Sequence, residues 1–170
     1  MSNVLIGIIG VILFIGLALA GALILGDDFR SSNSASKAAA TIATMQQISS
    51  AISMYQLKTG RTMIASADNI TLLQPRFLKS YPGANPISGD TYRINDATAN
   101  IGALPVAMVM TPIGTGERAR DACVAIEEQT GTGTPDMTPK SDFGATFAVK
   151  PRAGCFLYSQ TSNYYAYVGV

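Results

Sequence analysis

The sequence VLIGIIGVILFIGLALAGALIL, residues 4–25, decides the fold of this chain because it contains no charged or strongly polar side chain. An α-helix rises about 1.5 Å per residue, so this segment would reach roughly 33 Å, enough to cross the hydrocarbon core of a bilayer. A single membrane anchor is the simplest interpretation. We therefore expect a long apolar helix at the start of the chain.

The same segment is rich in glycine, which costs a water-soluble helix about 1 kcal/mol per residue relative to alanine. In lipid, or in a bundle of like helices, small residues instead allow helix backbones to approach closely. Gly16 with Ala20, and Ala22 with Gly26, have the four-residue spacing of such contacts. We therefore expect helix-to-helix packing, and its candidate positions are Gly7, Gly10, Gly16, Ala20, Gly21, Ala22 and Gly26.

A second helical pattern follows the first after a short polar patch. Between Ala35 and Leu57, apolar residues recur at spacings of 3, 3, 4 and 3, which places them on one face of a helix. Gly60 is a C-terminal stop signal after Lys58. The two patterns predict one helix of about 55 residues, apolar all round in its first half and amphipathic in its second. The residues of the amphipathic face are Ile42, Met45, Ile48, Ile52 and Tyr55.

Strand-like segments dominate the rest of the chain. The last of them are separated by short turns, which is typical of an antiparallel sheet. A long helix packed on that sheet predicts an α+β fold. The predicted strands are Tyr92–Ile94, Leu104–Thr111, Ala145–Lys150, Cys155–Ser159 and Tyr164–Val170.

Two shorter helical segments complete the prediction. Ile70–Leu78 predicts a short helix broken near Pro75, followed by a loop rich in proline and glycine. Glu117–Gln129 predicts a helix with Cys123 and Ile126 on one face.

These elements predict two regions of the chain. Residues 1–26 are expected to form an apolar transmembrane or filament-core helix, and residues 27–170 a globular domain. Within that domain we expect an amphipathic helix at 27–58, then a loop region and an antiparallel sheet at 59–170. A globular part of this size is large enough to bury a core of its own.

The composition argues against several kinds of function. The formal net charge is +1 and charged residues make up 14% of the chain, whereas a nucleic-acid surface needs a clustered basic face. Histidine is absent, which removes the commonest general base and the commonest transition-metal ligand. We therefore expect no enzyme activity, no cofactor and no nucleic-acid site.

The acidic residues have no recognisable ligand spacing. Asp27 and Asp28 are interpreted as a solvated boundary after the apolar segment. Asp136 and Asp142 flank a loop and could offer oxygens to calcium, but their spacing matches no calcium-binding loop. The charged residues of the predicted 117–129 helix are interpreted as ordinary surface charge; they include Arg118, Arg120, Asp121, Glu127 and Glu128.

The chain contains two cysteines, Cys123 and Cys155. In an oxidising compartment this pair predicts one disulfide, and in a reducing compartment two buried thiols. A disulfide would close a loop containing residues 124–154, and the chain-entropy model values such a loop at about 3–4 kcal/mol. It would also close the C-terminal region of the globular domain.

The basic residues around the apolar segment are asymmetric. No lysine or arginine precedes the segment, whereas Arg30, Lys37 and Lys58 follow it. The positive-inside rule would then keep the C-terminal part in the cytoplasm, where a disulfide is not expected. A basic leader that once preceded Met1, and was removed in processing, would reconcile the two observations.

The organisation of the chain resembles the type IV pilin family, and in particular its larger type IVb branch. The matching features are one long helix over Val4–Leu57, the cysteine-bearing segment DACVAI at residues 121–126, and Cys155 in the closing sheet. By organisation the resemblance covers nearly the whole chain.

The resemblance implies a structural subunit. In that family a prepilin peptidase removes a basic leader, which would make Met1 the processed N-terminus. The subunit then leaves the bacterial inner membrane with the help of the pilus assembly machinery. Its N-terminal helix joins the core of an extracellular helical homopolymer. The resemblance also implies that Cys123 and Cys155 staple the C-terminal region.

Leu5 departs from the family pattern. Family members usually carry a glutamate at this position, which pairs with the N-terminal amine of a neighbouring subunit, so this chain resembles a divergent major pilin. The filament's role, whether adhesion, motility, DNA uptake or conjugation, stays open. Two other interpretations also stay open, namely a type II secretion pseudopilin and a membrane-anchored periplasmic binding domain.

Overall fold

The computed structural model describes residues 2–61, 63, 69–96, 107–131 and 153–170. Within its helices and strands, the side chains at positions 2–5, 22–29, 69, 95, 96 and 107 lie outside this description. The elements, in chain order, are α1 (Ser2–Thr59), α2 (Asn69–Leu72), β1 (Arg93–Asp96), β2 (Ala107–Gly114), α3 (Gly116–Thr130), β3 (Ala153–Tyr158) and β4 (Asn163–Gly169).

Helix α1 is continuous over 58 residues, which confirms the prediction of one long helix. The chain divides by its internal contacts into two compact units, Met1–Asn33 and Ser34–Val170. The boundary therefore lies inside α1. We call Ser34–Val170 the globular unit.

The four strands form one sheet in the order β1-β2-β4-β3, and every neighbouring pair is antiparallel. Val109 of β2 lies opposite Val168 of β4, and Ala166 of β4 lies opposite Cys155 of β3. Because side chains alternate across a strand, these four residues share one face of the sheet. The prediction of an α+β fold with an antiparallel sheet is confirmed.

The core of the globular unit lies between this sheet face and one side of α1. The residues Ile42, Met45, Ile48 and Ile52 are buried, and Tyr55 is half-buried, as the helical spacing predicted. Helix α3 joins the same core with Ala119, Ala122, Cys123 and Ile126. Burying each large aliphatic side chain stabilises the fold by about 1.5–3 kcal/mol.

Two predicted boundaries differ from the structure. Strand β2 continues to Gly114, three residues beyond Thr111, and its register against β4 shifts between Pro112 and Gly114. Proline has no N–H for the ladder, so it is tolerated at such an irregularity. Positions 104–106 of that predicted strand, and the whole predicted strand Ala145–Lys150, lie outside the described residues.

The predicted helix Ile70–Leu78 is wrong in its second half. Helix α2 ends at Leu72, and the chain then turns with Leu73 N donating to Ile70 O and Phe77 N donating to Leu73 O. The residue before a proline is disfavoured in the helical region, and Pro75 follows closely. The turn brings Phe77 against Tyr55 of α1, with ring centroids 5.7 Å apart.

Asn85 connects the loop before β1 to both the helix and the sheet. It is 1% exposed. Its Oδ1 accepts from Ile87 N at 2.9 Å and from Thr41 Oγ1 of α1 at 3.0 Å. Its Nδ2 lies 3.2 Å from both Thr111 Oγ1 and Pro112 O of β2. All four side-chain hydrogen-bonding positions of this amide are used.

We expect Asn85→Ala to lower the free energy of unfolding by about 2–4 kcal/mol, because it leaves several buried polar groups without their partner. Chemical denaturation of the purified chain measures this loss. The matched control is Ser88→Ala, which removes an exposed hydroxyl bonded to Pro112 O at 2.7 Å. A change no larger for Asn85→Ala than for the control would contradict the connecting role.

Candidate assembly interface

The first half of α1 exposes large apolar side chains on every side. Between positions 6 and 19 these side chains are 49% to 74% exposed, and the values are highest at Phe14 and Leu17. Because each helical residue is rotated by 100° from the last, the consecutive residues Val11–Ile15 already point in all directions. The exposed side chains are Ile6, Ile8, Ile9, Val11, Ile12, Leu13, Phe14, Ile15, Leu17 and Leu19.

Four glycines of this segment have open space around them among the described residues. A Cβ added at Gly7, Gly10, Gly16 or Gly21 would meet no atom within 4 Å. Ala20, which completes the predicted pair with Gly16, is exposed. At 100° per residue, Gly16 and Ala20 lie on one side of the helix and the other three glycines on another, so a second helix could approach closely at either side.

The other predicted residues of this segment are not described. Met1, and the side chains of Leu5, Ala22 and Gly26, lie outside the description, as do those of Asp27 and Asp28. The predicted span Val4–Leu25 therefore extends past the described side chains at both ends.

Among the side chains that the structure describes, no helix is long and apolar enough to cross a membrane.

A disulfide links helix α3 to the sheet. Cys123 of α3 and Cys155 of β3 are bonded, with Cα atoms 5.4 Å apart, and both residues are fully buried. The predicted pairing is confirmed. Asp136 and Asp142, the weak calcium candidates, lie outside the described residues. Within the described part of the chain, no group of three residues is placed to hold a metal ion.

Glu127 corrects one prediction. It was expected to be surface charge, but it is 5% exposed, and its Oε1 accepts the backbone N–H of Cys155. Residues four apart share a helix face, so Glu127 lies on the same side of α3 as Cys123. The four-residue spacing between Cys123 and Glu127 was therefore the feature of the sequence that could have predicted the burial of Glu127. Arg118, Asp121 and the other charged residues named with it are exposed, as expected.

Gly154 makes room for this buried carboxylate. It lies opposite Tyr167 in the β3–β4 register. A Cβ at position 154 would lie 2.7 Å from Glu127 Oε1 and 2.9 Å from the Tyr167 hydroxyl oxygen. Burial, and then the charge of Glu127, raise the pKa of the Tyr167 hydroxyl above its ordinary value of 10.0. Glycine is therefore required here by close approach rather than by its backbone conformation.

Comparison with families of known proteins, with curated proteins and with solved structures yields no match for this chain.

We expect Gly154→Ala to destabilise the fold by about 1–3 kcal/mol, because the added methyl group must displace the Glu127 carboxylate or the Tyr167 ring. Gly83→Ala is the control, since a Cβ there meets nothing within 4 Å. Urea denaturation of both variants measures the difference. Equal stability of the two variants would contradict the close packing at position 154.

The Tyr167 environment also predicts a pH dependence. The unfolded chain ionises this tyrosine near pH 10.0, whereas the folded chain keeps it neutral to higher pH. The stability that it contributes is therefore fully present below pH 10 and is lost as the pH rises above it, by up to about 1.4 kcal/mol per pH unit.

Glu127→Gln retains an acceptor for Cys155 N but removes the charge, so the pKa of Tyr167 in the folded chain should lie closer to its ordinary value of 10.0. The free energy of unfolding should then stop falling at a lower pH than in the wild type, because the folded chain ionises sooner. Denaturation curves at increasing pH measure where the fall levels off. Glu128→Gln, at an exposed position, should level off at the same pH as the wild type. The same levelling pH for all three proteins would refute the coupling between Glu127 and Tyr167.

Proposed function

We propose that this chain is the structural subunit of an extracellular type IV pilus-like filament, assembled by packing of its N-terminal helices. The observation that carries the proposal is the apolar surface of α1 between Ile6 and Ala20, which is exposed on all sides of the helix in the single chain. Soluble monomers rarely expose contiguous apolar patches larger than a few hundred Å². Such a surface needs lipid or other protein around it.

The glycines favour protein as the final surrounding of this helix. Gly7, Gly10, Gly16 and Gly21 weaken the helix, and a side chain at any of them would meet no described atom within 4 Å. Close packing of helix on helix is a physical reason for retaining small residues at such positions. In the proposed cycle the segment lies in the bacterial inner membrane before assembly and in a bundle of like helices afterwards.

The globular unit is also consistent with a filament subunit. Among the described side chains, the residues that α1 contributes to its core begin at Ala38. The disulfide between Cys123 and Cys155 fits exposure to an oxidising exterior. Processing by a prepilin peptidase is part of the proposal and follows from the resemblance to pilins.

The proposal differs from its alternatives in what the apolar segment does. A membrane-anchored periplasmic binding domain would keep its binding function when residues 1–26 are deleted, whereas a filament subunit would lose assembly. A type II secretion pseudopilin would form only short filaments.

Negative-stain microscopy of material sheared from the cell surface, with protein sequencing to identify the subunit, tests the proposal. Long filaments built from this chain are expected. Retention of the chain in the membrane, with no filament at the surface, would contradict the proposal.

Gly16→Ala should separate folding from assembly. A Cβ at this position meets nothing within the chain, so the monomer should be unchanged or more stable by about 0.5–1 kcal/mol. Packing between copies should suffer, because the added methyl group holds helices apart. Filament yield by shearing and sedimentation, beside thermal unfolding of the monomer, measures both effects.

The control is Gly83→Ala, in the globular unit, which should leave filament yield unchanged. Wild-type filament yield from Gly16→Ala would argue against a close helix contact at this position.

A further inference from the structure

An open groove runs along the exposed side of α1 in the globular unit. Its volume is about 540 Å³. One wall is the helix, and the other is the segment from Phe77 to Ser80 that follows the turn after α2. On the helix side the groove is lined by small side chains, including Ala43 and Ser50, between the glutamines of α1. Small residues of this kind allow a second helix to come close.

Basic side chains lie in and beside this groove. Lys79 lines it, Arg76 precedes the groove-lining Phe77, and the Lys58 ammonium lies 5.7 Å from the centre of the Phe77 ring. All three cations are exposed, and none of them pairs with a carboxylate in the described part of the chain. We call Lys58, Arg76 and Lys79 the basic cluster.

The outward side of α3 carries the opposite charge. Glu117, Asp121 and Glu128 fall within about 40° of one another around the helix, at 100° per residue. They are exposed and lie opposite the buried Ala122 and Ile126. Arg118 and Arg120 project to the two sides of this acidic stripe. Like the basic cluster, the three carboxylates have no ion-pair partner among the described residues.

We propose that the acidic stripe of α3 in one copy lies in the α1 groove of a second copy, against the basic cluster. The occupant of the groove is thus a second copy of this chain, and the inference rests on the proposed filament function. Complementary charges steer such an encounter and fix its register. Helix α3 would provide the ridge that enters the groove. The groove is lined by small side chains and by the amide and hydroxyl groups of Gln46, Gln47 and Ser50.

The geometry of this contact suits a filament. The stripe and the groove are two different surfaces of the same molecule, so the contact is head-to-tail and leaves one of each surface free at every step. Such heterologous contacts generate open helical assemblies unless the rotation closes a ring. The α3–groove contact would therefore connect neighbouring globular units in the same filament whose core is formed by the N-terminal helices.

Charge reversal on each surface, and then on both, tests the contact in the full-length chain. Arg76→Glu with Lys79→Glu should lower filament yield roughly tenfold or more, because like charges then face each other across the contact. Glu117→Lys with Asp121→Lys should do the same. The chain carrying all four substitutions should recover most of the yield. The control is Arg93→Glu, an exposed basic residue on β1 outside the cluster, which should assemble normally.

A zero-length carbodiimide crosslink on wild-type filaments gives a second measurement that needs no variant. Mass spectrometry of filaments assembled from mixed light and heavy isotope-labelled subunits should detect links from Lys58 or Lys79 of one copy to Glu117, Asp121 or Glu128 of another. Links confined to single copies, or none between these residues, would overturn the inference.

The outcomes separate the two proposals. Filaments that form with wild-type yield in both charge-reversed variants refute the α3–groove contact and leave the filament function standing. Failure of the combined variant to recover, while the monomer still unfolds cooperatively, refutes the pairing as well. Capture of a soluble polyanion by the groove in intact filaments would show that the groove is free and would likewise overturn it. Absence of wild-type filaments overturns the filament function and this inference together.

Discussion

The packing of one side of α1 against the antiparallel sheet is the interaction on which the rest of the globular unit depends. Ala38, Met45, Ile48 and Ile52 are fully buried there, and Ser49 Oγ donates to Gly169 O of β4 at 3.0 Å. The hydrophobic term from this face is of the order of several kcal/mol. It also fixes which side of the helix faces outward, so it positions the groove beside α1. Among the described side chains, the core residues on α1 begin at Ala38.

The last strands are held by a second set of contacts around β3. The disulfide joins α3 to β3 through Cys123 and Cys155. The carboxylate of Glu127, also on α3, accepts the backbone N–H of Cys155. In the chain-entropy model, the disulfide raises the free energy of unfolding by about 3–4 kcal/mol. The carboxylate adds a charge-assisted hydrogen bond at a buried position, which is stronger than a neutral one. Together they hold α3 on the sheet, with its acidic stripe directed outward.

Much of the fold follows from the sequence, because its elements depend on local periodicity. The uninterrupted apolar segment and the spacing of Ile42, Met45 and Ile48 predicted one helix, and Cys123 with Ile126 predicted the inner face of α3. Asn85 was missed because an asparagine in a Pro/Gly-rich loop has the pattern of a turn residue, and its partners on α1 and β2 are 44 and 26 residues away. Glu127 was missed because its charged neighbours suggested surface. The apolar surface of α1 was predicted, whereas the groove depends on a turn that no periodicity encodes.

In the proposed filament, one helix has two surroundings: the sheet beside its second half and other copies of the chain around its first half. A three-dimensional reconstruction by electron cryomicroscopy of filaments sheared from cells that produce this chain is the most direct test. We predict that residues 6–20 of many copies lie in the filament core, in mutual contact at Gly16 and Ala20. A filament built without this chain, or one in which residues 6–20 make no contact between copies, would contradict it.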